Sequence, residues 1–142
     1  MRLKVRHWVA KALLGLIFIG VSTFVMTQLL STSSADPALR GQDAAAVLRG
    51  QAVYQTQCVD CHNPHDHRTG PRHWGVLGRK AGSEPGYVYS NALKRSTVIW
   101  SRETLLLWLT DPEKLIPGQV MDFSLSDAAQ RADVVAYLAT LR

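Results

Sequence analysis

Cys58-Val59-Asp60-Cys61-His62 reads C-x-x-C-H, the spacing at which a haem is fixed covalently to a chain. The spacing has a chemical reason. Two thiols so placed add across the two vinyl groups on one edge of a porphyrin, and the histidine that follows projects its imidazole onto the iron. Cys58 and Cys61 are the only cysteines of the chain, so their use leaves no disulfide. Other readings of the pair are weaker. A thioredoxin-type redox pair needs a βαβ context, and no run of strand alternation is visible. A zinc site could draw on His65, His67 and His73, but it would leave a thin core unfilled.

A haem iron of this type usually takes a second axial ligand. Met121 follows the loop Ile116-Pro117-Gly118-Gln119-Val120 and is the candidate. Met1 is the initiator and Met26 lies in an apolar segment, so Met121 is the one methionine of the domain. A lone methionine is ordinarily core packing; its place after a Pro-Gly step favours the ligand reading. His65, His67 and His73 are rival ligands, read here as solvent-facing loop residues.

Around the motif the pattern is helical. Residues 43–57 place Val47, Gly50, Val53, Tyr54 and Gln57 near one face, with Asp43 as cap. Residues 62–89 are rich in Pro, Gly, His and Arg without a sustained period. A loop so long inside a small domain needs a reason, and a bound cofactor is one. Ser101 caps a helix through Thr110, with Leu105, Trp108 and Leu109 on one side, and Asp111-Pro112 interrupts it. Ile116-Pro117-Gly118 is another break. Ser126 caps a last helix to the C-terminus, with Val134, Tyr137, Leu138 and Leu141 spaced as i, i+3, i+4 and i+7. The expected class is all-α, with three to five short helices around something large and apolar.

Upstream, Arg2, Lys4, Arg6 and Lys11 precede an apolar run over residues 12–30, the pattern of membrane targeting. Its 19 residues suit a membrane anchor, while Ser33-Ser34-Ala35 offers a signal-peptidase site, so anchor and cleaved signal both stay open. The basic residues keep the N-terminus in the cytoplasm, and the rest of the chain lies across the membrane, where haem attachment is made. Residues 31–42 read as a polar linker, leaving residues 43–142 as the domain. The formal charge of +5 over 142 residues belongs largely to this segment. Without it the balance is twelve basic residues against eleven acidic ones, which removes the case for nucleic acid. Residues 68–102 still hold seven basic residues against Glu84 alone. They form either a solvated face or a positive front that steers acidic partners.

With these motifs in order, residues 44–142 resemble the class I c-type cytochromes, in particular the mitochondrial-like bacterial cytochromes c. Gly50 and Tyr54 match the family's first helix, and Tyr137 and Leu138 its last. Thr69-Gly70-Pro71 is similar to the step whose proline carbonyl, here that of Pro71, accepts the N–H of the axial histidine, His62. Gly78-Arg79-Lys80 and the stretch from Tyr89-Ser90-Asn91-Ala92 to Trp100 match further segments. The resemblance implies that Arg79, Tyr89 and Trp100 bond the haem propionates, and Pro117, Gly118 and Met121 match the family's methionine loop. It implies the class I cytochrome c fold, with one haem c held through Cys58 and Cys61 and its iron by His62 and Met121. The chain departs from the family at Trp108, where a Tyr is frequent, and at Leu93, where a polar residue is. The loop from His62 to Thr69 is shorter, and Glu113, Val120 and Asp127 lie where lysines are usual.

The expected function is that of an electron carrier, not an enzyme. It works on the periplasmic side of the inner membrane, anchored there or soluble after cleavage near Ala35, between a quinol-oxidising complex and a terminal oxidase or other acceptor. Two alternatives differ in class: a haem-based ligand binder or peroxidase with a labile sixth site, and a fixed electron-entry subunit of a larger membrane enzyme. Phe123 either flanks the exposed haem edge or packs.

Overall fold

Ser101, Asp111 and Asp127 each hold an extended backbone while their side chains turn back onto the N–H groups that follow, and three helices begin there. The computed structural model describes residues 37–142. Helix α1 spans Pro37–Gln57, α2 Asn91–Arg95, α3 Arg102–Thr110, α4 Pro112–Leu115 and α5 Ala128–Leu138. The expected anchor or signal segment lies outside the described residues. Among those described, no helix is long and apolar enough to cross a membrane.

α3 opens with a reciprocal cap. Ser101 Oγ accepts the Thr104 N–H at 3.2 Å, and Thr104 Oγ1 accepts the Ser101 N–H at 2.8 Å. Asp111 ends α3 and starts α4: its N–H donates to Leu107 O at 3.0 Å, and its Oδ1 accepts from Lys114 N at 3.0 Å. Pro112 follows at the first helical position, where a missing N–H costs nothing. The interruption expected at Asp111-Pro112 is therefore a single extended residue between two helices.

Three boundaries differ from expectation. α1 starts at Pro37 rather than Asp43, so the second half of the expected linker is helical; Pro37 suits a first turn and Ala-Leu-Arg propagates it. α5 is capped by Asp127 rather than Ser126, since the Asp127 carboxylate accepts from Ala129 N at 2.7 Å and Gln130 N at 3.0 Å and its charge suits a helix N-terminus. α5 also stops at Leu138, with Leu141 buried beyond it.

Residues 41–142 form a compact unit. α1 and α5 meet at Gly50, where an added Cβ would lie 1.9 Å from Asp133 O. Arg49 grips the Asp133 carboxylate with Nε at 2.7 Å and Nη2 at 2.8 Å. One turn on, the Tyr54 and Tyr137 rings lie 5.2 Å apart. α3 packs on α5 and α4. Between α1 and α2 the chain has no helix, as its composition foretold. It is pinned instead by single backbone bonds: Gly75 N to Leu141 O at 2.7 Å, Gly78 N to Trp100 O at 2.8 Å, and Ala81 N to Val98 O at 2.8 Å. The one bridge among the described residues joins Lys80 and Ile99. The fold is all-α.

Candidate functional site

α1 ends one residue before Cys58, and its last turn carries into the motif: Cys58 N donates to Tyr54 O at 3.0 Å and His62 N to Cys58 O at 2.8 Å. The two sulfurs and the imidazole thus leave a helix end together. They face a cavity of about 470 Å³, within the range of small-molecule and cofactor sites. Leu93, Leu105, Leu109, Val134 and Leu138 supply much of its apolar wall. Cys58, Cys61, His62, Pro71, Arg79, Tyr89, Trp100 and Met121 all line it. Eight residues chosen over a span of 64 positions converge on one space.

His62 is held by its backside. Its Nδ1–H donates to Pro71 O at 2.8 Å, which fixes the tautomer and leaves the Nε2 lone pair for a metal. Burial lowers the His62 pKa, and the Pro71 bond opposes this. Gly70 makes the approach possible: a Cβ there would sit 2.1 Å from His62 Cε1. Burial, and after it the neighbouring Cys61, push the Cys58 thiol up to about 11.

His73 corrects an expectation. It is not a solvent-facing loop residue. Its ring stacks on that of His62, with centroids 4.1 Å apart and planes at 16°. Its Nδ1 lies 3.1 Å from Tyr54 Oη, and Tyr54 Oη donates to His62 O at 3.1 Å. One arrangement satisfies both bonds: His73 Nδ1–H donates to Tyr54, and Tyr54 donates to the carbonyl. Burial holds the His73 pKa well below its usual value, helped by the charges of His62 and Arg79. His65 and His67 are exposed, as expected. His67 is tied down even so, with Nε2–H donating to Pro85 O at 2.9 Å and Nδ1 accepting from Arg72 N at 3.1 Å.

Arg79 reaches the cavity, but its guanidinium has protein partners. Nη1 donates to the Glu84 carboxylate and to Trp74 O at 3.0 Å, and Nη2 donates to Arg72 O at 3.0 Å. Sequence reasoning missed Glu84. Its signal was being the one acid among seven bases, which counted only as a subtraction from the local charge. Arg72 and Arg79 are thereby withdrawn from the positive front, leaving Arg68, Lys80, Lys94, Arg95 and Arg102 exposed on it. Tyr89 is half-buried and its pKa is raised, by burial first. Trp100 and Trp108 are both buried and meet edge to face at 5.3 Å. Met121 is half-buried in its loop, where its N–H donates to Gln119 Oε1 and Gly118 N donates to Glu113 Oε1 at 2.8 Å. Phe123 both packs on the core and lines the cavity.

A covalently attached haem fits these residues: two thiols and an oriented imidazole at one helix end, an apolar chamber, and Arg, Tyr and Trp donors on its wall. Known proteins agree. The Cytochrome c family model matches residues 47–142. The chain is 42% identical over 92 residues to cytochrome c type-1 of Ascaris suum, covering 63% of this chain and 82% of that one. It is 38% identical over 98 residues to cytochrome c2 of Rhodopila globiformis, covering 67% and 92%. The solved structure of cytochrome cH from Methylobacterium extorquens superposes with a TM-score of 0.63 at 40% identity, covering 66% of this chain and 97% of that one.

Proposed function

The chain belongs to the cytochrome c family and is a monohaem electron carrier with haem c attached through Cys58 and Cys61, and from that premise we propose that His62 and Met121 are its axial iron ligands. When bound, the haem supplies the one-electron Fe(III)/Fe(II) couple. The remaining work belongs to the chain. Pro71 orients His62 and keeps its Nε2 free, and Met121 offers a thioether from a loop on the same cavity. Leu93, Leu105, Leu109, Val134 and Leu138 exclude water. Such ligation raises the potential, which suits transfer from a quinol-oxidising complex to a terminal oxidase or other acceptor. The observation that carries the reading is the shared cavity of His62, anchored at 2.8 Å to Pro71 O, and Met121.

The test is optical. Loaded wild-type protein is expected to give a methionine–iron charge-transfer band in the near infrared and a low-spin reduced spectrum indifferent to carbon monoxide. Met121→Ala is expected to keep its covalent haem, lose the band and bind carbon monoxide. A variant spectrum unchanged in both respects overturns the assignment.

We place the domain on the periplasmic side of the inner membrane. The support is in the sequence: four basic residues ahead of the apolar run at residues 12–30. As an anchor, that run would keep the carrier at the bilayer. Washed membranes should then retain the cytochrome at high salt, whereas a soluble form beginning near Asp36 would show the run to be a cleaved signal.

A further inference from the structure

Buried charge is costly unless paired, and the least exposed carboxylate among the described residues is Glu84, which lies behind the cavity-lining Arg79. Its side chain is only 3% exposed, and both its oxygens are taken. Oε1 accepts from Arg72 Nε at 2.5 Å, and Oε2 accepts from Arg79 Nη1. Arg79 is 15% exposed and forms part of the cavity wall, whereas Arg72 is 43% exposed and reaches outward. Arg79 also bonds the backbone at Trp74 and Arg72, so it cannot swing away without breaking several contacts. Tyr89 lines the same cavity. One carboxylate thus stands between an inner and an outer guanidinium, and the cluster carries a formal +1.

We propose that Glu84 is a potential-setting counter-charge, holding Arg79 in the cavity wall and cancelling one of the two positive charges of the Arg72–Glu84–Arg79 cluster. The proposal rests on the reading that haem occupies this cavity. Oxidation adds one positive charge to the iron. A fixed negative charge nearby favours the oxidised form and a fixed positive charge the reduced form. Within a poorly hydrated wall such charges are weakly screened, and hydrogen bonding and burial around a haem are established levers on its potential. With Glu84 in place the cluster is less positive than its two arginines alone would make it, and the potential is held down.

The sign of the charge gives the test, because packing has no sign. In the holoprotein, Glu84→Gln leaves +2 and should raise the potential, by about tenfold in the oxidised-to-reduced ratio at fixed applied potential, which is 59 mV for one electron. Arg72→Gln leaves a neutral cluster and should lower it, by less because Arg72 is partly solvated. Arg72→Gln combined with Glu84→Gln restores +1 and should return the potential towards that of the wild type. A merely structural Glu84 would lower thermal stability without this pattern of signs. If Glu84→Gln gives no loaded protein, the fall with Arg72→Gln and its reversal in the double variant remain as readouts. Shifts of the same sign in the two single variants, or a potential unmoved by either, overturn the proposal. The methionine–iron band of the wild type reports separately on whether the axial reading holds, so the two failures are distinguishable.

Discussion

At the scale of a residue, His62, the proposed axial ligand, depends on an absent side chain. A Cβ at Gly70 would lie 2.1 Å from Cε1, 2.5 Å from Nδ1 and 2.6 Å from Nε2 of His62. This is the body of a ring already fixed by Pro71, with His73 stacked on it, and not the loose end of a flexible chain. Gly70→Ala must therefore rotate His62 or break its 2.8 Å bond to Pro71. The thioethers at Cys58 and Cys61 do not need His62. The expected result is covalently loaded protein with a high-spin component in its absorption spectrum. Gly75→Ala is the control: its φ of +66° strains any L side chain, but nothing lies within 4 Å of the added carbon. It should lose about 1–2 kcal/mol of stability with an unaltered spectrum. An unaltered low-spin spectrum for Gly70→Ala would mean that His62 tolerates displacement.

At the scale of elements, the crossing of α1 and α5 is set by Gly50, whose added Cβ would lie 1.9 Å from the Asp133 carbonyl oxygen. The obstacle is backbone, so Gly50→Ala has to push the helices apart. Overpacking of this kind costs about 1–3 kcal/mol, and at about 4–8 °C per kcal/mol for a domain of this size calorimetry should register a clear fall in Tm. A Tm within two or three degrees (roughly) of the wild type would show that the crossing has slack. The same elements show what could be read in advance. The start of α3 was legible because a cap is local: Ser101 and Thr104 satisfy each other within one turn. The start of α5 was missed by one residue because Ser126 and Asp127 are both good caps, and only the backbone decides which carboxylate or hydroxyl meets the free N–H groups. Of the eight named residues that line the cavity, Cys58, Cys61, His62 and Met121 were legible in the C-x-x-C-H spacing and the Pro-Gly loop, whereas Pro71, Arg79, Tyr89 and Trp100 came only through the family resemblance. His73 and Glu84 were not legible. They lie in a loop without a period, where spacing says nothing of side-chain direction. His73 is turned inward by its stack on His62 and its bond to Tyr54, and Glu84 by two arginines, five and twelve residues away in sequence.

At the scale of the whole molecule, the core is built around a space. Leu93 from α2, Leu105 and Leu109 from α3, and Val134 and Leu138 from α5 are buried, yet each faces the cavity. At ~24 cal/mol per Å³, a chamber of about 470 Å³ left unfilled would forfeit at most roughly 11 kcal/mol, less where it opens to water. That is comparable with the ~5–15 kcal/mol total stability of a domain, and a small domain has little else to offset it. The loop between α1 and α2 adds to the demand, since it contributes few helical bonds and is held by isolated contacts such as Gly75 N to Leu141 O. Haem is therefore a structural part of the core as well as the redox group. Cys58→Ala combined with Cys61→Ala, purified free of haem, is expected to lose most of its far-UV helical signal and to melt without a cooperative transition, whereas the loaded wild type unfolds in one step. Native-like helicity and a cooperative melt in that variant would mean that the helices collapse onto one another to fill the chamber, and that the fold does not depend on its cofactor.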